Sequence, residues 1–166
     1  QVDETPLKGE SPKDLSLRLS VLKAQAVAAQ HPHSVVIGCD QVLELNGRPV
    51  GKPGNFENAF KQLSEMSGQT VTFHSAMTVI DAKGNLQSTV VPTFIRMRNL
   101  LPEGIREYLE REKPFNCAGS AKIEKLGIAL VAECKSDDPT AIIGLPLIEL
   151  TTMLAQAGIH VLPELN

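Results

Sequence analysis

The sequence predicts an α/β domain, a mixed sheet flanked by helices. Helical periodicity begins at Ser11-Pro12. Short β-branched runs recur at 35–40, 70–81, 86–98 and 128–133, and the two kinds of segment alternate along the chain. The 166 residues are 42% hydrophobic and 21% charged, the balance of a globular chain. At roughly 150 residues per domain this is one domain, with room for two lobes around a central cleft. Aromatics are scarce, with five Phe, one Tyr and no Trp, so Leu, Ile, Val and Ala must fill the core.

Each element has a local reason. Ser11 suits an N-cap and Pro12 the first helical position, and Leu15, Leu19, Leu22 and Ala26 follow at helical spacing, giving a helix over 12–30. VVIGCD (35–40) reads as a buried strand whose carboxyl end presents Asp40 and Gln41. Asn46-Gly47 between VLEL and RPV predicts a type I′ hairpin. Asn55 caps a helix over 56–66, stopped by Ser67-Gly68. Two long strands, 70–81 and 86–98, flank the turn 82–85, and Pro92 asks for an edge position or a bulge. Helices over 102–113 and 145–158 enclose a strand over 128–133.

Composition narrows the function. Sixteen basic against nineteen acidic residues give a net charge of −3, which argues against a nucleic-acid surface. No apolar run approaches the roughly 18 residues of a membrane span, and no signal peptide is recognisable. Cys39, Cys117 and Cys134 form no CxxC pair, which suits a reduced, cytoplasmic setting. The four histidines show no zinc-binding spacing.

Five segments could carry chemistry. Asp40 in GCDQV is either a general base or cation ligand at a strand end, or a turn-capping Asp. Lys52 in GKP could meet a phosphate, or be a solvated loop lysine. Asp3 and Glu4 in VDET could hold a metal or lie exposed, and Lys23 could face a phosphate or snorkel. In NCAGSAKIEKLG the small residues allow close backbone approach, while Glu124 reads equally as a surface residue beside Lys122 and Lys125. DDPTAIIGLPL leads into the last helix, whose N-terminus favours anions, or packs for structure alone.

Their order and spacing are more specific than any one of them. The run VDETP, SP, LRL, KAQ, VIGCDQV, GKP, LSEMSG, CAGSAKIEKLG, DDPTAIIGLPL and ML resembles the Maf family of nucleotide pyrophosphatases over nearly the whole chain. Asp40-Gln41 and Glu124 are similar to the subgroup acting on 7-methyl-GTP; the branch acting on dTTP and UTP carries Thr and Gln there.

The resemblance implies a twisted mixed sheet like that of inosine triphosphate pyrophosphatases. It implies hydrolysis of a nucleoside triphosphate to the monophosphate and pyrophosphate. Asp40 would be the proton acceptor, Lys23 and Lys52 would meet the triphosphate, and Glu4 with Asp40 would hold Mg²⁺ or Mn²⁺. Gln41 and Glu124 would read the base. N7-methylation makes guanine cationic, so a carboxylate there is worth ~1–3 kcal/mol over a neutral amide. Family members are commonly homodimers. They open with a strand and a Ser-x-Ser-x-x-Arg loop about thirty residues ahead of VDET; that segment is absent from this sequence, so the resemblance implies a sheet lacking its N-terminal strand, with an edge unpaired or part of the core uncovered. The same chemistry on dTTP, UTP or inosine triphosphate is the nearest alternative, and a non-catalytic nucleotide-binding regulator of cell division the alternative of another class.

Overall fold

The computed structural model describes residues 1–163. Ser11 caps α1 (Pro12–Ala28), its hydroxyl accepting the Asp14 N–H at 3.1 Å. The strands β1 (Val36–Leu45) and β2 (Arg48–Val50) form the expected hairpin, with Asn46 at φ 51° and Gly47 at φ 78°. Asn55 caps α2 (Phe56–Met66), accepting the Asn58 N–H at 2.8 Å. Then follow β3 (Thr70–Ile80), β4 (Leu86–Met97), α3 (Pro102–Glu112), β5 (Val131–Ser136) and α4 (Leu147–Gln156). Three short 3-10 turns lie at Ala118–Ser120, Leu126–Leu130 and Ala141–Ile143.

The sheet runs β2-β1-β3-β4-β5 with helices on both faces, so the α/β class holds. Among the described residues all four strand pairings are antiparallel, where the sequence suggests a mixed sheet. Tight hairpins join β1 to β2 and β3 to β4, and such turns permit only antiparallel partners. The last strand starts at Val131 rather than Ile128, because 126–130 winds into a 3-10 turn. Pro92 sits where β5 has run out: β5 pairs with β4 only from Thr93 onward, so the missing N–H leaves no ladder bond unmade there.

Alternation along the strands separates two interiors. On one face α2 and α3 cover Leu43, Leu45, Val71, Phe73, Ile95 and Met97, and α4 covers Met77 and Val79. On the other face α1 covers Val36, Val42 and Ile80. The buried side of α1 is Leu15, Ser16, Leu19, Ser20 and Ala24, not the expected Leu15-Leu19-Leu22-Ala26 stripe; Leu22 and Ala26 are exposed. Small residues win because the helix lies almost on the strand. A Cβ on Gly38 would sit 2.6 Å from both the Ser20 carbonyl oxygen and the Ala24 nitrogen. The Ser20 and Thr78 hydroxyls, both buried, meet at 2.8 Å across the seam.

Candidate active site

Asp40 lies in the middle of β1, not at its end, since the strand continues to Leu45. Its cross-strand partner is Ala76, and Gly38 precedes it on the same face. These two small neighbours leave room beside the carboxylate. Lys23 reaches across from α1, its Nζ 2.5 Å from Asp40 Oδ1 and 3.0 Å from Glu4 Oε1. Arg18, which sequence reasoning passed over, brings Glu4 there. It pairs with Glu10 at 2.7 Å and donates to the Thr5 carbonyl at 3.1 Å, tying the N-terminal segment to α1. Asp3 turns inward on its own loop, accepting the Thr5 N–H at 3.0 Å, and is not part of this cluster.

Burial pushes the Asp40 carboxyl above its ordinary pKa; the Lys23 ammonium opposes that without cancelling it, and Lys52 adds a weaker pull the same way. Desolvation lowers the Lys23 pKa, yet the bonds to Asp40 and Glu4 outweigh it, so the ammonium is held charged. A cleft of about 450 Å³ opens over this cluster, lined by Glu4, Asp40, Gln41, Lys52 and Ala118 among others. Glu4, Asp40 and Lys52 therefore share one cleft, and Lys23 bonds the first two.

The other positions fall differently. Gln41 follows Asp40 on the strand, so its side chain leaves the opposite face. Its amide group donates to the carbonyl of Ile142 at 2.9 Å and to Ser75 Oγ at 3.1 Å. Glu124 is exposed and outside the lining of the cleft, beyond the 3-10 turn Ala118–Ser120 that borders it. That turn is held by Tyr108, whose hydroxyl donates to the Ser120 carbonyl at 2.7 Å and accepts the Lys122 N–H at 3.1 Å. Burial pushes the Tyr108 pKa up to about 12, so the phenol keeps its proton. Gly119 has φ 65°, and a Cβ there would meet Leu43 Cδ2 at 2.1 Å.

DDPT is a helix cap. Asp138, buried, accepts the Ile148 N–H at 2.9 Å and the Thr140 N–H at 2.8 Å, while Thr140 Oγ1 accepts the Leu147 N–H at 2.8 Å. Two otherwise orphan donors of α4 are thus filled from within the chain, and the segment reads as structural.

Two carboxylates converging on one cation suit a hard divalent ion, which takes oxygen ligands and often only one or two from protein when substrate phosphates supply others. Among the described residues no cluster of three or more His, Cys, Asp or Glu stands ready to hold a metal alone. A half-buried carboxylate, cationic side chains and an open cleft together form the equipment of a hydrolase for anionic substrates.

The comparisons agree. The family model for "Maf-like protein" matches residues 1–157. The chain belongs to the Maf-like protein family. It is 58% identical over 158 residues to the 7-methyl-GTP pyrophosphatase of Bordetella pertussis, covering 95% of this chain and 79% of that one. It is 53% identical over 162 residues to the 7-methyl-GTP pyrophosphatase of Thiobacillus denitrificans, covering 97% and 81%. The protein of that name from Polaromonas sp. is 52% identical over 159 residues, covering 95% and 73%.

Proposed function

We propose that this protein is a nucleoside triphosphate pyrophosphatase that hydrolyses 7-methyl-GTP to 7-methyl-GMP and pyrophosphate. The observation that carries the reading is the Lys23-Asp40-Glu4 cluster at one cleft, in a chain more than half identical to proteins of that name.

Water attacks the α-phosphorus, and the bond from that phosphorus to the α,β-bridging oxygen breaks. Asp40 takes the water proton, and pyrophosphate leaves with the bond's electron pair. Its raised pKa makes Asp40 a better base than an exposed carboxylate. The ion pair with Lys23 keeps it ionised enough to act. Lys23 and Lys52 face the triphosphate, whose roughly four negative charges need cationic cover. Glu4 and Asp40 would hold a divalent cation, Mg²⁺ or Mn²⁺, which would polarise the phosphoryl oxygens.

Gln41 and Glu124 read the base. Glu124 supplies the charge a methylated guanine attracts, and Gln41 borders the cleft while its amide nitrogen is held by the Ala141 and Ile142 carbonyls and its own carbonyl oxygen accepts no hydrogen bond among the described residues. The protein works as one Maf-like domain around a central cleft, as a cytoplasmic homodimer without nucleic acid or membrane. No helix among the described residues is long and apolar enough to cross a membrane.

The test is pyrophosphate release from 7-methyl-GTP, GTP, dTTP, UTP and inosine triphosphate with Mg²⁺ or Mn²⁺. Preference for 7-methyl-GTP, lost in Asp40→Asn, supports the reading. Preference for dTTP or UTP keeps the reaction and refutes the base assignment. Binding without turnover favours the regulator.

A further inference from the structure

The Lys52 side chain makes no hydrogen bond or ion pair among the described residues, so its backbone alone locates the ammonium. That backbone is held from α2. Asn58 and Gln62, one helical turn apart, both reach back under the loop 51–54. Asn58 Nδ2 donates to the Pro53 carbonyl at 3.0 Å, and Gln62 Nε2 donates to the Gly51 carbonyl at 2.9 Å. The other end of the Gln62 amide accepts the Ser120 hydroxyl at 3.0 Å. The Gly51 carbonyl also takes the Gly119 N–H at 3.2 Å, and the Gly54 N–H donates to Phe115 at 3.0 Å.

Ser120 is itself unusual. It holds φ 60°, a left-handed conformation unfavourable for a residue with a Cβ. Its hydroxyl on Gln62 and its carbonyl under Tyr108 hold it there. A continuous chain of bonds thus runs from Tyr108 through Ser120 and Gln62 to the residue before Lys52. The Gln62 amide does this with its two ends, its NH₂ donating to the Gly51 carbonyl and its oxygen accepting from the Ser120 hydroxyl, and an apolar side chain of the same length can do neither.

We infer that Gln62 is a positioning residue that fixes the Lys52 loop against the 118–120 turn, tying together two segments that border the cleft. The inference rests on the reading of Lys52 as a phosphate contact. A displacement near 1 Å at such a group lowers rate by about a hundredfold.

The experiment uses the full chain with Gln62→Met, Lys52→Met and the double variant. Amide hydrogen exchange should quicken at least tenfold at Gly54 and Gly119 in Gln62→Met, with the sheet amides unchanged; unchanged loop protection overturns the inference. In steady-state hydrolysis of 7-methyl-GTP, Gln62→Met should lower kcat/KM about ten- to a hundredfold and have no further effect in the Lys52→Met background. Additive losses overturn a role through Lys52. If Lys52→Met turns over at the wild-type rate, the phosphate reading of Lys52 fails, and exchange alone decides whether Gln62 is the clamp. Ser120→Ala, which removes one arm only, serves if Gln62→Met does not fold.

Discussion

Gly38 lies so close under Ala24 that a Cβ on it would sit 2.6 Å from the Ala24 amide nitrogen. Asp40 is two residues along on the same face of β1, and Lys23 is the neighbour of Ala24. The height of α1 above the sheet therefore sets the 2.5 Å contact between Lys23 Nζ and Asp40 Oδ1.

Gly38→Ala should push α1 outward. Overpacking of this kind typically costs about 1–3 kcal/mol, readable as a lower urea midpoint. Activity should fall further than the lost stability explains, because the ion pair is stretched. A variant with normal stability and normal turnover would refute the close-packing account.

With Asp40 as the proposed proton acceptor, Asp40→Asn should drop kcat about 10²–10⁴-fold while binding of nucleotide persists. In the wild type, activity should fall on the acid side with an apparent pKa above that of an exposed Asp, because burial raises it. Lys23→Met removes the opposing charge, so this acid limb should move to higher pH. A shift to lower pH would contradict the assigned coupling. For stability the sign is the usual one for a raised acid: the folded state binds the proton more tightly, so this group's contribution declines as pH rises above 3.8 through the folded pKa.

Asp138→Ala should destabilise the protein by about 1–2 kcal/mol through loss of the α4 cap. The Asp138 pKa is lowered: burial pushes it up, but the hydrogen bonds from Thr140 and Ile148 outweigh that. Its contribution is then present above 3.8 and lost as pH falls through the folded value. Thermal unfolding of wild type and variant against pH should converge in acid. Parallel curves throughout would mean that Asp138 is not the titrating cap.

Glu124→Gln should reduce the preference for 7-methyl-GTP over GTP by about tenfold or more, the equivalent of one charge-assisted hydrogen bond. The loss should appear in KM for the methylated nucleotide. Equal effects on both nucleotides would place Glu124 outside the base site.

In the proposed cation site, Glu4→Gln would leave Asp40 as the sole carboxylate. The Mg²⁺ concentration for half-maximal turnover should rise, and chelation should abolish activity in the wild type. Metal-independent turnover would remove Glu4 from that role.

Much of this molecule is legible in one dimension because the causes are local. Ser11-Pro12, Asn55 and Asn46-Gly47 act within a few residues of themselves, and each element they begin or turn is found where its signal lies. The carboxylates and lysines that meet at the cleft are visible as residue types in order. What local signals do not carry is depth and facing. The continuation of β1 past Asp40 and the burial of Ser16, Ser20 and Ala24 in place of Leu22 depend on what α1 rests upon. Gln62 has no signal in the chain, since its partners Gly51 and Ser120 lie 11 and 58 residues away. The sequence by itself determined which elements form and which chemical groups they carry. The tertiary structure decided which of those groups touch, because contact between an ammonium and a carboxylate depends on ångström-scale packing of a helix on a sheet, and no local preference encodes it.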